Sequence, residues 1–175
     1  MSTSPILPPQ NLPENRLDPL HVFRFQVDFE TDAIGSSGGS PVVLCSGAFS
    51  ECNGLEATME PKVIKEGGRN YGVIQRSGPV TFATVILKRG MTKTRDLHHW
   101  FELVGNGSYG YRLAATITMF DTTGKGVLSW KLEKALPVKF KAADLNAKNT
   151  EIGIEELHLA HEGLVFIKTP KVAAL

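Results

Sequence analysis

Cysteines and long apolar runs are scarce in this sequence, which narrows the class of protein that it can be. The 175 residues include 2 cysteines, Cys45 and Cys52, whose separation fits no zinc-binding pattern, so we interpret both as free thiols. The longest apolar stretch lies within residues 80–87 and is interrupted by Thr81 and Thr84. That is far short of the ~20 apolar residues that a membrane-spanning helix needs. The N-terminus shows no basic region followed by an apolar run, so we expect synthesis in the cytoplasm without a secretory signal or membrane anchor.

An excess of charge of one sign is also missing. The chain has 19 Lys and Arg residues against 18 Asp and Glu residues, a formal net charge of +1. Because no basic stripe is present to neutralise phosphates, nucleic-acid binding is not predicted. The hydrophobic content of 42% and the chain length together predict one domain with one core.

Proline is concentrated near one end of the chain. Five of the 10 prolines fall within residues 5–19, and such a segment cannot form a regular ladder of backbone hydrogen bonds. We therefore predict an extended arm over residues 1–17, a single domain over residues 18–168 and a short tail over residues 169–175.

Alternation of apolar and polar residues dominates the predicted domain. In Val22–Glu30 the apolar side chains share one face, which predicts a half-buried strand. Leu55–Glu66 and Gly72–Lys88 are predicted to form a long hairpin joined by residues 66–70. Further strands are predicted at Pro41–Cys45, Ala48–Glu51, Tyr111–Phe120, Val127–Leu136, Val138–Lys141 and Glu151–Glu162.

One segment follows a helical period instead. Thr92–Val104 places its large apolar side chains on one face, which predicts a helix. Thr92 or Thr94 is expected to cap its start, and Gly105 to end it in a left-handed conformation. The predicted fold is therefore mainly β, with two packed antiparallel sheets in a sandwich or barrel-like arrangement and one α-helix near residues 92–104.

Four motifs resemble catalytic, cofactor-binding or metal-binding sites, but the residues or predicted elements around each of them do not fit that function. Residues 105–110 spell a dinucleotide-binding glycine pattern, but a predicted helix precedes it and a strand follows, the reverse of what pyrophosphate binding requires. Ser37 has the glycine spacing of a hydrolase nucleophile but is followed by a predicted strand. Neither of two polar pairs can close a metal site: His98 with Glu102, and His158 with His161. We therefore predict no catalytic, cofactor-binding or metal-binding residue.

Several predicted strands have one fully hydrophilic face. In Val127–Leu136, apolar residues alternate with Ser129, Lys131 and Glu133. In the last strand, residues 155–156 are both glutamates where alternation requires opposite faces, which predicts a β-bulge. A hydrophilic face fits an ordinary sandwich with one wet side, and it fits equally the wall of an aqueous channel closed from several subunits.

Five segments, in order, resemble one known family. They are an opening strand, a Phe-Ser-Glu turn, a hairpin tip with two glycines, a strand end before the helix and a closing segment: Leu17–Phe25, Gly47–Leu55, Lys65–Asn70, Leu87–Gly90 and Glu151–Leu164. Over residues 18–167 the chain resembles the tail-tube proteins of contractile phages in the T4 mould. That family includes the inner-tube proteins of extracellular contractile injection systems.

The resemblance implies a mechanical function. Members of the family form hexameric rings that stack into a hollow tube inside a contractile sheath, with a lumenal β-barrel shared among the subunits. The implied partners are other copies of the chain, the sheath protein, baseplate and terminator proteins, and a cargo effector or DNA in the lumen. The implied location is a phage tail or an extracellular injection particle.

Within that arrangement, one set of residues is the candidate contact with a neighbouring subunit or ring, and a second set is the candidate lining of the lumen. The hairpin tip would reach a neighbouring subunit or ring through Glu66, Gly67, Gly68, Arg69 and Asn70. Two hairpins would supply lumen strands: Leu55–Glu66 with Gly72–Lys88, and Val127–Leu136 with Glu151–Glu162. On those strands, alternation places candidate lumen-facing residues at Thr58, Glu60, Lys62, Ser129, Lys131, Glu133, Glu151 and Glu155.

Other classes of protein fit the same strand pattern. One alternative is the related tube protein of a type VI secretion system, and another is a monomeric β-sandwich that binds a carbohydrate or protein ligand. A tube former gives rings or filaments, whereas a binding module stays monomeric. The enzymatic alternative is an esterase that uses Ser37.

Overall fold

The computed structural model describes residues 22–32, 41–42, 49–68, 71–148 and 150–167. Several features of the sequence predictions lie outside the described residues. They are the N-terminal arm, the C-terminal tail, Ser37, Cys45, Arg69 and Asn70.

The described residues form twelve strands and one helix. In chain order the strands are β1 (Phe25–Thr31), β2 (Pro41–Val42), β3 (Glu51–Asn53), β4 (Ala57–Met59), β5 (Lys62–Ile64), β6 (Ile74–Arg76), β7 (Val80–Phe82), β8 (Val85–Gly90), β9 (Leu113–Phe120), β10 (Gly126–Lys141), β11 (Ile154–Ala160) and β12 (Gly163–Ile167). Helix α1 (Asp96–Gly105) lies between β8 and β9. The prediction of a mainly β fold with one helix is confirmed.

Two antiparallel sheets share the long strand β10. Sheet I consists of β2, β1, β9, the first half of β10, and β12, while sheet II consists of the second half of β10, β11, β8 and β3. Alternation turns the apolar side chains of both sheets to the same core, where Ile117 and Leu132 of sheet I join Leu87 and Leu157 of sheet II. The predicted pair of packed antiparallel sheets is therefore confirmed.

Helix α1 completes the core on the inner side of the sheets. Its buried side chains are Leu97, Trp100 and Val104, and Phe101, the fourth large apolar residue of the predicted face, is half-buried. The Trp100 ring meets the Phe29 ring of β1 edge-on, with centroids 5.7 Å apart. The 3.6-residue period therefore identified the packed face correctly.

Both ends of α1 differ from the prediction. The helix begins at Asp96, after an N-cap residue, Arg95, that makes no side-chain cap. The hydroxyls of Thr92 and Thr94 hydrogen-bond to each other at 2.9 Å. Gly105 is the last helical residue, and the left-handed conformation occurs at Gly107, whose φ is 111°. Neither predicted threonine caps the helix, and the left-handed glycine lies two residues beyond the predicted one.

A bend in β10 carries the chain from sheet I to sheet II. Lys134 has a φ of 50°, the one positive φ among the described non-glycine residues. Asp32 Oδ2 accepts a hydrogen bond from the Lys134 backbone N–H at 2.8 Å, and Arg112 Nη1 donates to the Lys134 carbonyl at 3.3 Å. The two strands predicted at Val127–Leu136 and Val138–Lys141 are therefore one strand with a kink.

The predicted bulge at residues 155–156 is wrong. Strand β11 pairs with β8 in continuous register, from Ile154 opposite Gly90 to Leu159 opposite Val85. Glu155 lies on the core side of this strand and is buried, whereas Ile154 is exposed. The alternation was misread because a carboxylate can occupy an apolar face when a buried cation neutralises it.

Candidate assembly surfaces

A two-stranded ribbon extends sheet II beyond the core. Strand β3 pairs with β8, and β4 pairs with β7 in the same register, since Glu51 lies opposite Lys88 and Ala57 lies opposite Phe82. The ribbon then continues as β5 paired with β6. The predicted hairpin of Leu55–Glu66 with Gly72–Lys88 is confirmed over these paired residues.

The ribbon exposes apolar side chains. Within the described residues, neither the β4–β7 pair nor the β5–β6 pair has a third strand beside it. Met59 is 50% exposed and Val63 is 54% exposed, and Val80 is also exposed. Because a lone two-stranded hairpin is at best marginally stable in water, exposed apolar side chains on such a ribbon make it a candidate surface for contact with another chain.

The turn between β5 and β6 forms the tip of this ribbon. Glu66, Gly67 and Gly68 are exposed there, at the position where the sequence placed the inter-subunit loop. Neither Gly67 nor Gly68 has a heavy atom within 4 Å of an added Cβ, but Gly68 has a φ of 86°, in the left-handed region that favours glycine, and Gly67 lies outside that region. Gly67 therefore accepts a side chain without strain, while Gly68 does not. Their contact with another subunit stays a prediction.

The outer face of sheet II carries charges of alternating sign. Lys141, Glu156, Lys88 and Glu51 stand opposite one another in a row across four strands. Lys88 Nζ lies 2.8 Å from Glu51 Oε2. This hydrogen bond lowers the pKa of the Glu51 carboxyl and raises the pKa of the Lys88 ammonium group. The row is therefore strongly polar but has no net charge.

Behind that face, three charged side chains form a buried network. Arg89 is 1% exposed and Glu155 is 6% exposed. Arg89 Nε donates to Glu155 Oε1 at 2.5 Å, and the two terminal nitrogens of Arg89 donate to the Asp96 carboxylate at 2.5 and 3.3 Å. Arg89 thereby joins β8 and β11 of sheet II to the first residue of α1.

The sequence reasoning missed this network. Alternation along β8 places Arg89 on the same side as Leu87 and Val85, which are both buried. An arginine at a core position needs a carboxylate partner, and that signal was available in the sequence. The identity of the partners was not, because Glu155 and Asp96 lie on other elements.

The structure does not bring the eight candidate lumen residues together. Thr58, Glu60 and Lys62 are exposed on the ribbon, and Glu151 is exposed just before β11. Lys131 and Glu133 belong to the half of β10 that lies in sheet I, where they stand opposite Val165 and Gly163 of β12. The candidates are therefore divided among the ribbon, sheet I and sheet II, and whether any of them faces a channel stays a prediction.

Two of the candidates do not face solvent. Ser129 is 1% exposed, because it lies between Thr118 and Ile167 of the neighbouring strands and its hydroxyl is 3.0 Å from that of Thr118. Glu155 belongs to the buried network. Alternation identified a polar face for Ser129 correctly, but a short side chain in the middle of a sheet is covered by its neighbours.

The strand pairing predicted for the second hairpin, Val127–Leu136 with Glu151–Glu162, is wrong. Residues 129–133 of β10 pair with β12 and with β9, and only the residues from Leu136 onward pair with β11. Strand alternation determines which side chains share a face, but it does not identify the partner strand.

The described residues offer little other chemistry. No group of three or more His, Cys, Asp or Glu side chains among them could hold a metal ion. Within the described residues, no helix has both the length and the apolar character that crossing a bilayer requires. Cys52 is a half-buried free thiol, and burial raises its pKa to about 11, so it is protonated at neutral pH.

Comparison with known families identifies the chain. Residues 21–165 match the family described as T4-like virus tail tube protein gp19. The chain belongs to this tail tube family. Its function is therefore that of a structural subunit of a tube, and the resemblance drawn from five sequence segments is confirmed. A search of curated protein sequences finds no match.

Solved structures of contractile injection systems have the same fold as this tail tube protein. A chain of the anti-feeding prophage baseplate matches with 24% identity and a TM-score of 0.72, covering 89% of this chain and 99% of its own. A chain of the sheath-tube complex of an extracellular contractile injection system, PVC, matches with 16% identity and a TM-score of 0.68, covering 86% and 93%. A chain of the anti-feeding prophage cap matches with 16% identity and a TM-score of 0.70, covering 87% and 93%.

Proposed function

We propose that six copies of this tail tube protein form a ring, that rings stack into a hollow conduit, and that a contracting sheath drives the conduit through a target envelope. The observation that carries the proposal is the ribbon of β4–β7 and β5–β6, whose apolar side chains are exposed. A neighbouring copy would bury them. The anti-feeding prophage baseplate, which contains a chain of similar fold, is described as 6-fold symmetrised, and this supports a ring of six.

The outer face of sheet II is the proposed wall of the conduit. Within the described chain, β3 and the second half of β10 are the margins of this sheet and have a strand neighbour on one side only. Joining copies at these margins would close a barrel and remove the free strand edges. The row of Lys141, Glu156, Lys88 and Glu51 would then give the wall a polar surface without net charge, along which DNA or protein cargo could slide.

The opposite side of the molecule is the proposed outer wall. Helix α1 packs against the inner side of sheet II through Asp96 and Arg89, so it lies across the core from the lumen face. The sheath, baseplate and terminator proteins are the partners proposed for the outside, in a phage tail or an extracellular injection particle. In this role the chain is mechanical and not enzymatic, and obligate interfaces of about 2,000 Å² or more would give the tube its stiffness.

A glutamate at the ribbon tip tests the assembly. Gly67→Glu adds charge where the structure has open space and an ordinary φ, so the chain should fold as the wild type does. We expect the variant to form no tubes under negative-stain electron microscopy, because the added charge would be buried against a neighbouring copy.

Gly110→Glu is the matched control, since Gly110 is exposed and also has nothing within 4 Å of an added Cβ. It should leave tubes unchanged. Normal tubes from Gly67→Glu would refute the role of the tip, and a wild-type chain that stays monomeric at high concentration would refute the proposed function itself.

A further inference from the structure

The two margins of sheet II carry charges of opposite sign. On β3 the charged residue of the outer face is Glu51, whose side chain is 53% exposed. On the second half of β10 the outer face presents Lys139 and Lys141, which are both exposed. One margin is therefore anionic and the other is cationic, on the face that we propose as the lumen wall.

The charged groups at the two margins have capacity for a partner on another chain. Glu51 Oε2 lies 2.8 Å from Lys88 Nζ, but a carboxylate has two oxygens and accepts several hydrogen bonds. Lys141 Nζ lies 3.5 Å from Asp144 Oδ2, and these side chains are 46% and 91% exposed. An ion pair with that much exposure to water contributes little to stability, so Lys141 can exchange Asp144 for a carboxylate of another copy.

The direction of the strands allows one margin of a copy to pair with the other margin of the next copy. Neighbouring strands in the order β10, β11, β8 and β3 are antiparallel at each step, so the two margin strands run in opposite directions. In a ring whose copies all have the same orientation, β3 of one copy therefore meets β10 of the next copy as an antiparallel pair. This contact is head-to-tail, the type that closes rings.

Contacts between like margins would bring like charges together. Two copies that joined through β3 would place their Glu51 side chains close to each other. Two copies that joined through β10 would place Lys139 and Lys141 against the same lysines. Like charges that face each other across an interface are unfavourable, and specific association commonly depends on such repulsion. The charge difference between the margins therefore favours a ring over two-fold dimers.

We propose that Glu51 of each copy lies against Lys139 and Lys141 of the next copy, and that this polarity selects ring closure over pairing of like margins. The inference rests on the proposed function, because it assumes that copies join at the margins of sheet II. It goes further by naming the charged groups at the junction. Closing a barrel staggers the strand register, and side chains two residues apart share a face, so both lysines belong to the junction.

Two variants that each reverse the charge of one margin test the contact. Glu51→Lys makes both margins cationic, and Lys139→Glu combined with Lys141→Glu makes both margins anionic. Each variant alone should lower the yield of rings on the order of tenfold or more at equal protein concentration. Size-exclusion chromatography and negative-stain electron microscopy measure that yield. All three positions are exposed in the single chain, so circular dichroism should show wild-type folding.

An equimolar mixture of the two variants tests whether the reversed margins meet. Every junction between unlike variants again joins an anionic margin to a cationic one, so rings should return. Native mass spectrometry should find equal numbers of the two variants in each ring, because only strict alternation around the ring avoids like charges. The recovered rings should dissociate more readily as the salt concentration rises.

Two controls separate the junction from other effects of charge. Lys88→Gln removes the partner of Glu51 within the same chain but leaves both margins unchanged, so rings should form normally. Lys93→Glu combined with Lys125→Glu, at exposed positions outside the sheet margins, changes the net charge as much as the lysine double variant does and should also leave rings intact.

The outcomes separate this contact from ring formation itself. Normal rings from either margin variant alone, no rings in the mixture, or loss of rings in a control variant would each overturn the proposed junction. A wild-type chain that forms no rings contradicts the proposed function instead.

Discussion

At residue 89, a charged side chain stands where alternation along β8 requires an apolar one. Arg89 bonds to Glu155 of sheet II and to Asp96 of α1 with almost no exposure to water. Removing three charges from water is costly, so such a network adds little net stability compared with apolar residues of the same volume. Its geometry is directional, however, and it fixes where the start of α1 lies on the sheet that we propose as the lumen wall.

Replacing Arg89 alone should be strongly destabilising. Arg89→Met leaves Glu155 and Asp96 buried or half-buried without their cation, and we expect a loss of about 3–5 kcal/mol in the free energy of unfolding. Urea titrations followed by tryptophan fluorescence measure it. Arg89→Met combined with Glu155→Leu and Asp96→Asn should recover most of the loss, because no uncompensated charge then remains. A single variant that loses less than about 1 kcal/mol would show that water already reaches the carboxylates.

At the scale of elements, the bend in β10 decides how the two sheets are joined. Lys134 has a positive φ and its backbone is held on both sides, by the Asp32 carboxylate and the Arg112 guanidinium group. A residue with a Cβ costs roughly 1–2 kcal/mol in the left-handed region, so these two hydrogen bonds must offset strain at this position. The bend is what allows one strand to serve both sheets.

Glycine at position 134 should change the stability of the fold in the opposite direction to glycine elsewhere in β10. Lys134→Gly removes the steric cost of the positive φ and should be at least as stable as wild type, whereas Lys134→Val should lose about 1–2 kcal/mol. Lys139→Gly, in the same strand at an exposed position with an ordinary φ, should lose about 0.5–1 kcal/mol. Thermal unfolding of the three variants checks the order. A Lys134→Gly chain less stable than Lys139→Gly would mean that the lysine side chain, and not its backbone, matters at the bend.

At the scale of the whole molecule, the outer face of sheet II exists only after four strands from distant parts of the chain come together. The row that ends in Lys88 and Glu51 carries charges of alternating sign. Since the pKa of Glu51 is lowered in the folded chain, its pairing stabilises the fold at pH values above the ordinary carboxyl pKa. That contribution is lost as pH falls through the lowered pKa.

Glu51→Gln should therefore be less stable than wild type near neutral pH and equal to it in acid. Melting temperatures measured from about pH 7 to about pH 2 should converge as Glu51 of the wild type becomes protonated. Glu30→Gln, which changes an exposed glutamate of β1 outside the charged row, is the matched control for the substitution itself. A melting-temperature gap that persists at the lowest pH would show that Glu51 acts through packing and not through its charge.

The amino-acid sequence by itself determined the local elements: the half-buried strands, the apolar face of α1, the hairpin with Glu66, Gly67 and Gly68 at its tip, and the family. These follow from side-chain periods of 2 and 3.6 residues and from short segments, which depend only on neighbours in the chain. The tertiary structure alone decided which strand pairs with β11, where β10 bends, and that Ser129 and Glu155 are buried. Each of these depends on atoms contributed by distant segments, and no local period encodes them.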